Sequence, residues 1–402
     1  MASYRVAKIM EDLYVLRLDD VQTKFFEGIW EIPEGITYNS YLLTLPGKTI
    51  LFDGWKKDYS DDFIEAIKSI VDIDDIDIVV LHHMEPDHTG SVPVLLSKMR
   101  RQPTIYVHPM ARSMLASFYG LKSSKIMPVK DKDVLDLGDE KITFIHTPWL
   151  HWPETMISYL EKHRTLITCD VFGSYSVPKG IFDDELGEKD IQEYLYYARK
   201  YMVTVIGYYR NHIVPALNKI GTLGIKPSLI APGHGLIWRK NLDRIIEAYK
   251  DFAEGRYDSS KITMIYTSMY GFVEKAMGKI KDYLEDNGYK VIVHKYTDKD
   301  RPSISEILVD ADTSKALVIG ISNYEASLHP HMDHVLNILA KKIKSLKPVL
   351  LVTVYGWGDA AKTLAKKKLE NTALNPVEYI SLKAGTDPEI EIIKDFLEKI
   401  KE

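Results

Sequence analysis

A single cysteine, Cys169, stands among 402 residues. One thiol cannot close an intramolecular disulfide, and it cannot furnish a cysteine-only iron–sulfur or rubredoxin-type centre. Long apolar runs are missing too. No stretch approaches the roughly 20 residues that cross a bilayer, and the opening Met1-Ala2-Ser3-Tyr4-Arg5-Val6-Ala7-Lys8 has no apolar signal core. Nor is there an excess of one charge sign: the net charge is −5, which offers no basic field for nucleic acid or an anionic membrane. No internal repeat, low-complexity tract or long charge block is present. The expectation is a cytoplasmic protein with neither nucleic-acid nor membrane partners. Hydrophobic residues at 45% and charged residues at 27% are ordinary globular values, and the length predicts two or three domains with full cores.

What the chain does have is His83-Met84-Glu85-Pro86-Asp87-His88, four potential metal ligands within reach of one another. The preceding Ile76-Asp77-Ile78-Val79-Val80-Leu81 is apolar, β-branched and short, which predicts a buried strand feeding a loop. Imidazole and carboxylate donors without thiolate suit iron, manganese or zinc. One such residue alone is an ordinary polar group. Four of them directly after a buried strand point to a metal site.

The same pattern returns downstream. His151 lies in Thr147-Pro148-Trp149-Leu150-His151-Trp152-Pro153, after the strand-like stretch 142–145. Asp170 closes the apolar run Leu166-Ile167-Thr168-Cys169, and His234 sits in Ala231-Pro232-Gly233-His234-Gly235, after 228–230. Each alone reads as a satisfied polar residue at a strand terminus. Their repetition beside Gly and Pro punctuation favours ligands.

Amphipathic helical spacing over 241–254 gives way to the polar Glu254-Gly255-Arg256-Tyr257-Asp258-Ser259-Ser260-Lys261. A boundary near 258 is expected, dividing 1–258 from 259–402. The first part mixes strand-like stretches (14–18, 40–45, 49–53) with helical ones (61–71, 91–99, 110–119, 189–203), which predicts sheets covered by helices. The second part alternates strands at 262–266, 290–294, 315–320, 348–354 and 377–380 with helices at 273–287, 303–309, 331–344, 358–371 and 387–400. That order predicts a doubly wound parallel α/β sheet with its ligand beyond the strands' carboxyl ends.

Those ends are chemically distinctive. Thr267-Ser268-Met269-Tyr270-Gly271-Phe272-Val273 runs into a helix, whose N-terminal N–H groups suit a phosphate. The third strand ends in Ser322-Asn323-Tyr324 and the fourth in Tyr355-Gly356-Trp357-Gly358-Asp359. Tyr324, Tyr355 and Trp357 offer aromatic faces on which a planar heterocycle can stack. Together these loops predict a flavin mononucleotide (FMN) site.

With its His-x-Glu-x-Asp-His run, later His, Asp and His, and flavin-type loops, the whole chain resembles the flavodiiron proteins (A-type flavoproteins). The resemblance implies an N-terminal metallo-β-lactamase-like αββα sandwich with a diiron centre and a C-terminal flavodoxin-like domain carrying FMN. It further implies that His83, Glu85 and His151 hold one iron, Asp87, His88 and His234 the other, and that Asp170 bridges them. His82, His146 and Asp53 fall outside the pattern and are expected to be structural or supporting. Dizinc hydrolases of similar fold carry His where Glu85 stands, and the harder carboxylate favours redox-active iron.

The implied activity is reduction of dioxygen to water or of nitric oxide to nitrous oxide. Electrons would come from a separate rubredoxin, reduced deazaflavin coenzyme or flavoprotein reductase, and the assembly would be a head-to-tail homodimer or a dimer of dimers. The chain departs from the family pattern at Phe272-Val273, where hydroxyl or amide donors are usual, at Phe26-Glu27-Gly28, where a His-Gly pair is usual, and at Tyr201-Met202. Two other readings are a binuclear metallohydrolase with a vestigial flavodoxin domain and a flavin electron carrier with a structural metal. Glu85 and the aromatic strand ends weigh against the first, and seven donors for two metals weigh against the second.

Overall fold

The computed structural model describes residues 2–401. The chain forms two compact units. One runs to Met202 and resumes over Tyr209–Lys250; the other comprises Val203–Tyr208 and the chain from Asp251 onward.

Two sheets make the first unit. The larger has the spatial order Ser3–Met10, Leu13–Asp20, Ile36–Leu45, Lys48–Phe52, Ile76–Leu81, Thr104–Val107, Ile126–Pro128. Its first four strands pair antiparallel and the rest parallel. Ile76–Leu81 has a parallel neighbour on each side and is buried except at Asp77, which is why its sequence is nearly continuous in apolar residues. The smaller sheet runs Val134–Asp136, Lys141–His146, Met156–Leu160, Thr165–Cys169, Leu229–Pro232, with only the last pairing parallel. Val15, Leu43, Ile50 and Val80 of one sheet join Phe144, Met156 and Ile167 of the other in a common core. Helix Ser60–Lys68 buries Phe63, Ile64 and Ile67, and the helix from Leu242 buries Ile245 and Tyr249. The αββα sandwich is therefore as expected.

The second unit is one parallel sheet ordered Lys290–Tyr296, Asp258–Thr267, Ser314–Tyr324, Lys347–Tyr355, Leu374–Lys383. In chain order this is 2-1-3-4-5, the flavodoxin-like doubly wound sheet, with its switch point between the first and third strands. A short strand, Ser327–Leu328, folds back on the end of Ser314–Tyr324. Helix Phe272–Asp286 buries Val273, Met277, Ile280 and Leu284 against the sheet.

Asp359 ties three strand ends to a helix. It caps Ala360–Leu369 by accepting from Lys362 N at 3.2 Å, and it also accepts from Thr353 Oγ1 at 2.5 Å, Asn323 Nδ2 at 3.0 Å and the Ser381 hydroxyl. Burial works against its charge, but these donors hold its pKa below the ordinary carboxylate value. A depressed folded-state pKa adds stability that is complete above the unfolded value and disappears as pH falls through the folded one. Asp359→Ala is expected to destabilise the second unit by about 1–2 kcal/mol at neutral pH. Urea titrations without added flavin should show that deficit narrowing below about pH 4. A deficit independent of pH would contradict the charged-cap account.

Candidate metal centre and flavin cleft

Strand Ile76–Leu81 delivers His82 and His83 at its carboxyl end, and a short helix, Pro86–Thr89, follows with Pro86 at its first position and Glu85 before it. That turn points Glu85, Asp87 and His88 back toward the strand end. His151 arrives from the loop between Lys141–His146 and Met156–Leu160, Asp170 from the end of Thr165–Cys169, and His234 from the end of Leu229–Pro232. Gly233 permits the last approach: a Cβ there would lie 2.8 Å from His88 Cε1.

All seven candidate ligands come together, in two sets around Asp170. His83, Glu85, His151 and Asp170 form one constellation able to hold a cation, and Asp87, His88 and His234 form another. Asp170 Oδ2 lies 3.4 Å from His83 Nε2 and 3.6 Å from His151 Nε2. Its other oxygen, Oδ1, lies 2.9 Å from His88 Nε2 and 3.3 Å from His234 Nε2. Glu85 Oε2 is 2.9 Å from His151 Nε2 and 3.3 Å from His83 Nε2, while Asp87 flanks His88 and His234 at 3.7 and 3.5 Å. Cys169 is also within reach of His88 and Asp170. Both Asp87 oxygens, Asp170 Oδ2 and His234 Nε2 are buried with no hydrogen-bond partner. Buried carboxylates without donors are costly, and cations between these sets would satisfy them, so the donor set fits a metal pair.

The charges reinforce that fit. Burial opposes a charged His88, yet Asp87 and Asp170 raise its pKa to about 10. Burial likewise opposes ionised Asp170, but His88, His234 and His83 hold it well below its usual range. Asp87 goes the other way, pushed up chiefly by burial. These are the marks of anions and imidazoles compensating one another in a dry site.

Several residues support the ligands; of these, Glu154 and Thr37 left no mark in the sequence, whereas Phe26 and Tyr201 lie in two of the segments that depart from the family pattern. Glu154, fully buried, accepts from His83 Nδ1 at 2.8 Å and from Met84 N at 3.0 Å. Thr37 O accepts from His234 Nδ1 at 2.7 Å. The Tyr201 hydroxyl donates to Asp170 Oδ1 at 2.8 Å. Phe26 sets its ring edge-on to His234, and Trp152 packs against His83. An acidic residue following two prolines and two tryptophans reads as a loop residue unless its burial is known. His82 and Asp53 are structural as expected: His82 Nδ1 bonds Asp53 Oδ2 at 2.7 Å and Nε2 bonds Ser158 Oγ at 2.7 Å, all buried. His146 instead bonds Val129 O at 3.1 Å and packs on His108.

In the second unit the loops 268–273, 322–326 and 354–360 line one cleft of about 590 Å³, a volume suited to a cofactor. The flavin candidates face it except Thr267 and Gly271. Thr267 is buried beneath, its hydroxyl 3.1 Å from that of Ser322. Gly271, at φ 81°, turns the chain into the helix. Tyr324, Tyr355 and Trp357 are among its lining residues, so the loops fit a planar ring with a polar tail.

Known proteins agree with this geometry. Residues 36–235 match the family described as ODP family beta lactamase. A solved structure of a flavo di-iron protein variant from Thermotoga maritima superposes with a TM-score of 0.94 at 39% identity, covering 100% of this chain and 99% of that one. A nitric oxide reductase of Moorella thermoacetica is 29% identical over 90% of this chain and 89% of its own length. A rubredoxin-oxygen oxidoreductase of Megalodesulfovibrio gigas is 26% identical over 90% of this chain and 89% of its own. The fold and site define a lactamase-like metal unit joined to a flavodoxin-like unit. The chain belongs to the flavodiiron protein family.

Glu154 yields a prediction. A carboxylate on the far nitrogen of a metal-binding imidazole fixes its tautomer and orientation, and its loss typically costs about 10–100-fold in metal affinity. Glu154→Leu should therefore lose metal to a competing chelator at about 10–100-fold lower chelator concentration, with Glu154→Gln in between. Wild-type retention in both variants would remove Glu154 from the site.

Proposed function

We propose that this protein is an FMN-dependent diiron oxidoreductase that reduces dioxygen to water, nitric oxide to nitrous oxide, or both, protecting its cell from oxidative or nitrosative stress. The metal half would occupy 1–258 and the flavin half 259–402. In this reading His83, Glu85 and His151 hold one iron, Asp87, His88 and His234 the other, and Asp170 bridges. The observation that carries it is Asp170, with one oxygen turned toward each set of donors. Where a hydrolase of similar fold carries His, Glu85 supplies a carboxylate, and a flavin cleft has no use in hydrolysis.

When bound, the irons and FMN supply electrons one or two at a time, which neither substrate's reduction can do without. The chain's own residues hold that chemistry in place. Glu154 and Thr37 fix the rings of His83 and His234. Tyr201 keeps its proton, since burial pushes its pKa well up, and directs it at Asp170 Oδ1. Phe26 and Trp152 exclude water beside two of the imidazoles. The side chain of Glu85 is 14% exposed, while that of His83 beside it is fully buried.

The electron donor would be a separate rubredoxin, a reduced deazaflavin coenzyme or a flavoprotein reductase, and the assembly a head-to-tail homodimer or a dimer of dimers in the cytoplasm. No helix among the described residues is long and apolar enough to cross a membrane.

Asp170→Ala is expected to lose the metal pair and more than about a hundredfold of the dioxygen and nitric oxide reduction rate, while keeping its flavin spectrum. Full iron occupancy in that variant would falsify the bridging role. Glu85→His should shift the metal content of protein expressed in mixed metals from iron toward zinc and lower reductase turnover. Unchanged iron with wild-type oxygen consumption would show that Glu85 does not choose the metal.

A further inference from the structure

We infer that the Tyr38 hydroxyl donates a hydrogen bond to the small ligand bound at the metal that Asp87, His88 and His234 hold, a diatomic substrate in turnover and an anion such as azide at rest. The inference rests on the diiron reading above and adds a ligand-facing residue to it.

Tyr38 lies on strand Ile36–Leu45 and is fully buried. The carbonyl of its neighbour Thr37 accepts from His234 Nδ1, and the Tyr38 ring stands edge-on to the His234 ring with centroids 5.5 Å apart. Lys56 Nζ covers the Tyr38 ring at 5.1 Å and itself donates to Thr23 Oγ1 at 3.2 Å. The phenol is therefore held between a metal-ligand imidazole and an anchored ammonium group.

The hydroxyl of this fixed ring is buried with no hydrogen-bond partner. Other fully buried tyrosines of the unit are satisfied: the hydroxyls of Tyr41, Tyr201 and Tyr249 donate to Pro232 O at 2.6 Å, Asp170 Oδ1 at 2.8 Å and Gly173 O at 2.6 Å. Leaving one such group unpaired is costly. Burial, and after it the charge of Asp87, pushes the Tyr38 pKa well up, so the phenol keeps its proton, yet neither Asp87 oxygen accepts from it. The Asp87 oxygens and His234 Nε2 are lone pairs that a cation satisfies. A hydroxyl proton needs an acceptor instead, and the acceptor that arrives with a cation is the ligand at its open position. A neutral donor fixed beside that position binds more strongly as its acceptor takes on negative charge, which is what reduction of a diatomic molecule brings about.

The test uses the full chain, loaded with iron and oxidised, with azide as the probe. Titration followed by the azide-to-iron absorption band is expected to show about tenfold weaker binding in Tyr38→Phe, the worth of one charged hydrogen bond. The infrared antisymmetric stretch of bound azide is expected to differ between ordinary and heavy water in the wild type and to lose that difference in Tyr38→Phe. Iron content and melting temperature of the variant should match the wild type, because the ring and its packing remain. Equal azide affinity, or a solvent shift that survives in Tyr38→Phe, overturns the inference. Loss of iron from the variant also overturns it, since the hydroxyl would then support the metal and not its ligand. If the wild-type chain holds no iron, the diiron reading itself fails.

Discussion

Four imidazoles and three carboxylates meet where two sheets end, and burying that many ionisable groups is the constraint on which the first unit turns. Ionised side chains enter a protein interior only when paired or bound to a cation. Asp170 answers part of the demand by facing both histidine sets at once. Around it the architecture is arranged to hold atoms still. The parallel strand Ile76–Leu81 is locked between neighbours, Gly233 lets one loop close over His88, and Asp53, His82 and Ser158 form a buried chain of hydrogen bonds beneath the loop.

The second unit solves a different problem with less charge. Its sheet order opens a crevice between its first and third strands, and the cleft there is built from loops. Asp359 serves the protein by joining Thr353, Asn323 and Ser381 to a helix cap beside the cleft. The two units thus treat buried charge in contrasting ways, one concentrating it and the other spending it on hydrogen bonds at the rim.

Much of this was legible in the chain because the informative elements are regular. Parallel strands buried on both faces read as unbroken apolar runs, and a ligand-type residue at the end of such a run is conspicuous, as at His83, Asp170 and His234. The alternating pattern after 258 gave the five parallel strands for the same reason. Edge strand Ser3–Met10 escaped notice because it is largely half-buried or exposed and mixes polar with apolar residues. The paired strands Phe25–Phe26 and Trp30–Glu31 are too short for any periodicity. Glu154 and Thr37 were invisible for a different reason: what each does depends on partners far away in sequence, and Thr37 acts through its backbone carbonyl, which carries no residue signature at all. The buried side of Val273 was likewise a property of packing.

The candidate ligands are spread from His83 to His234, on strand ends that reach one another only when both sheets have formed. A chain emerging from the ribosome holds the first four donors long before the last, and bringing such distant segments together carries a loop-closure cost that no local helix or hairpin shares. The centre is therefore among the last things the first unit completes, and a partly synthesised chain carries unmatched carboxylates and imidazoles that keep its loops hydrated until His234 arrives. Timing of metal entry, in such a protein, is written into the order of its strands.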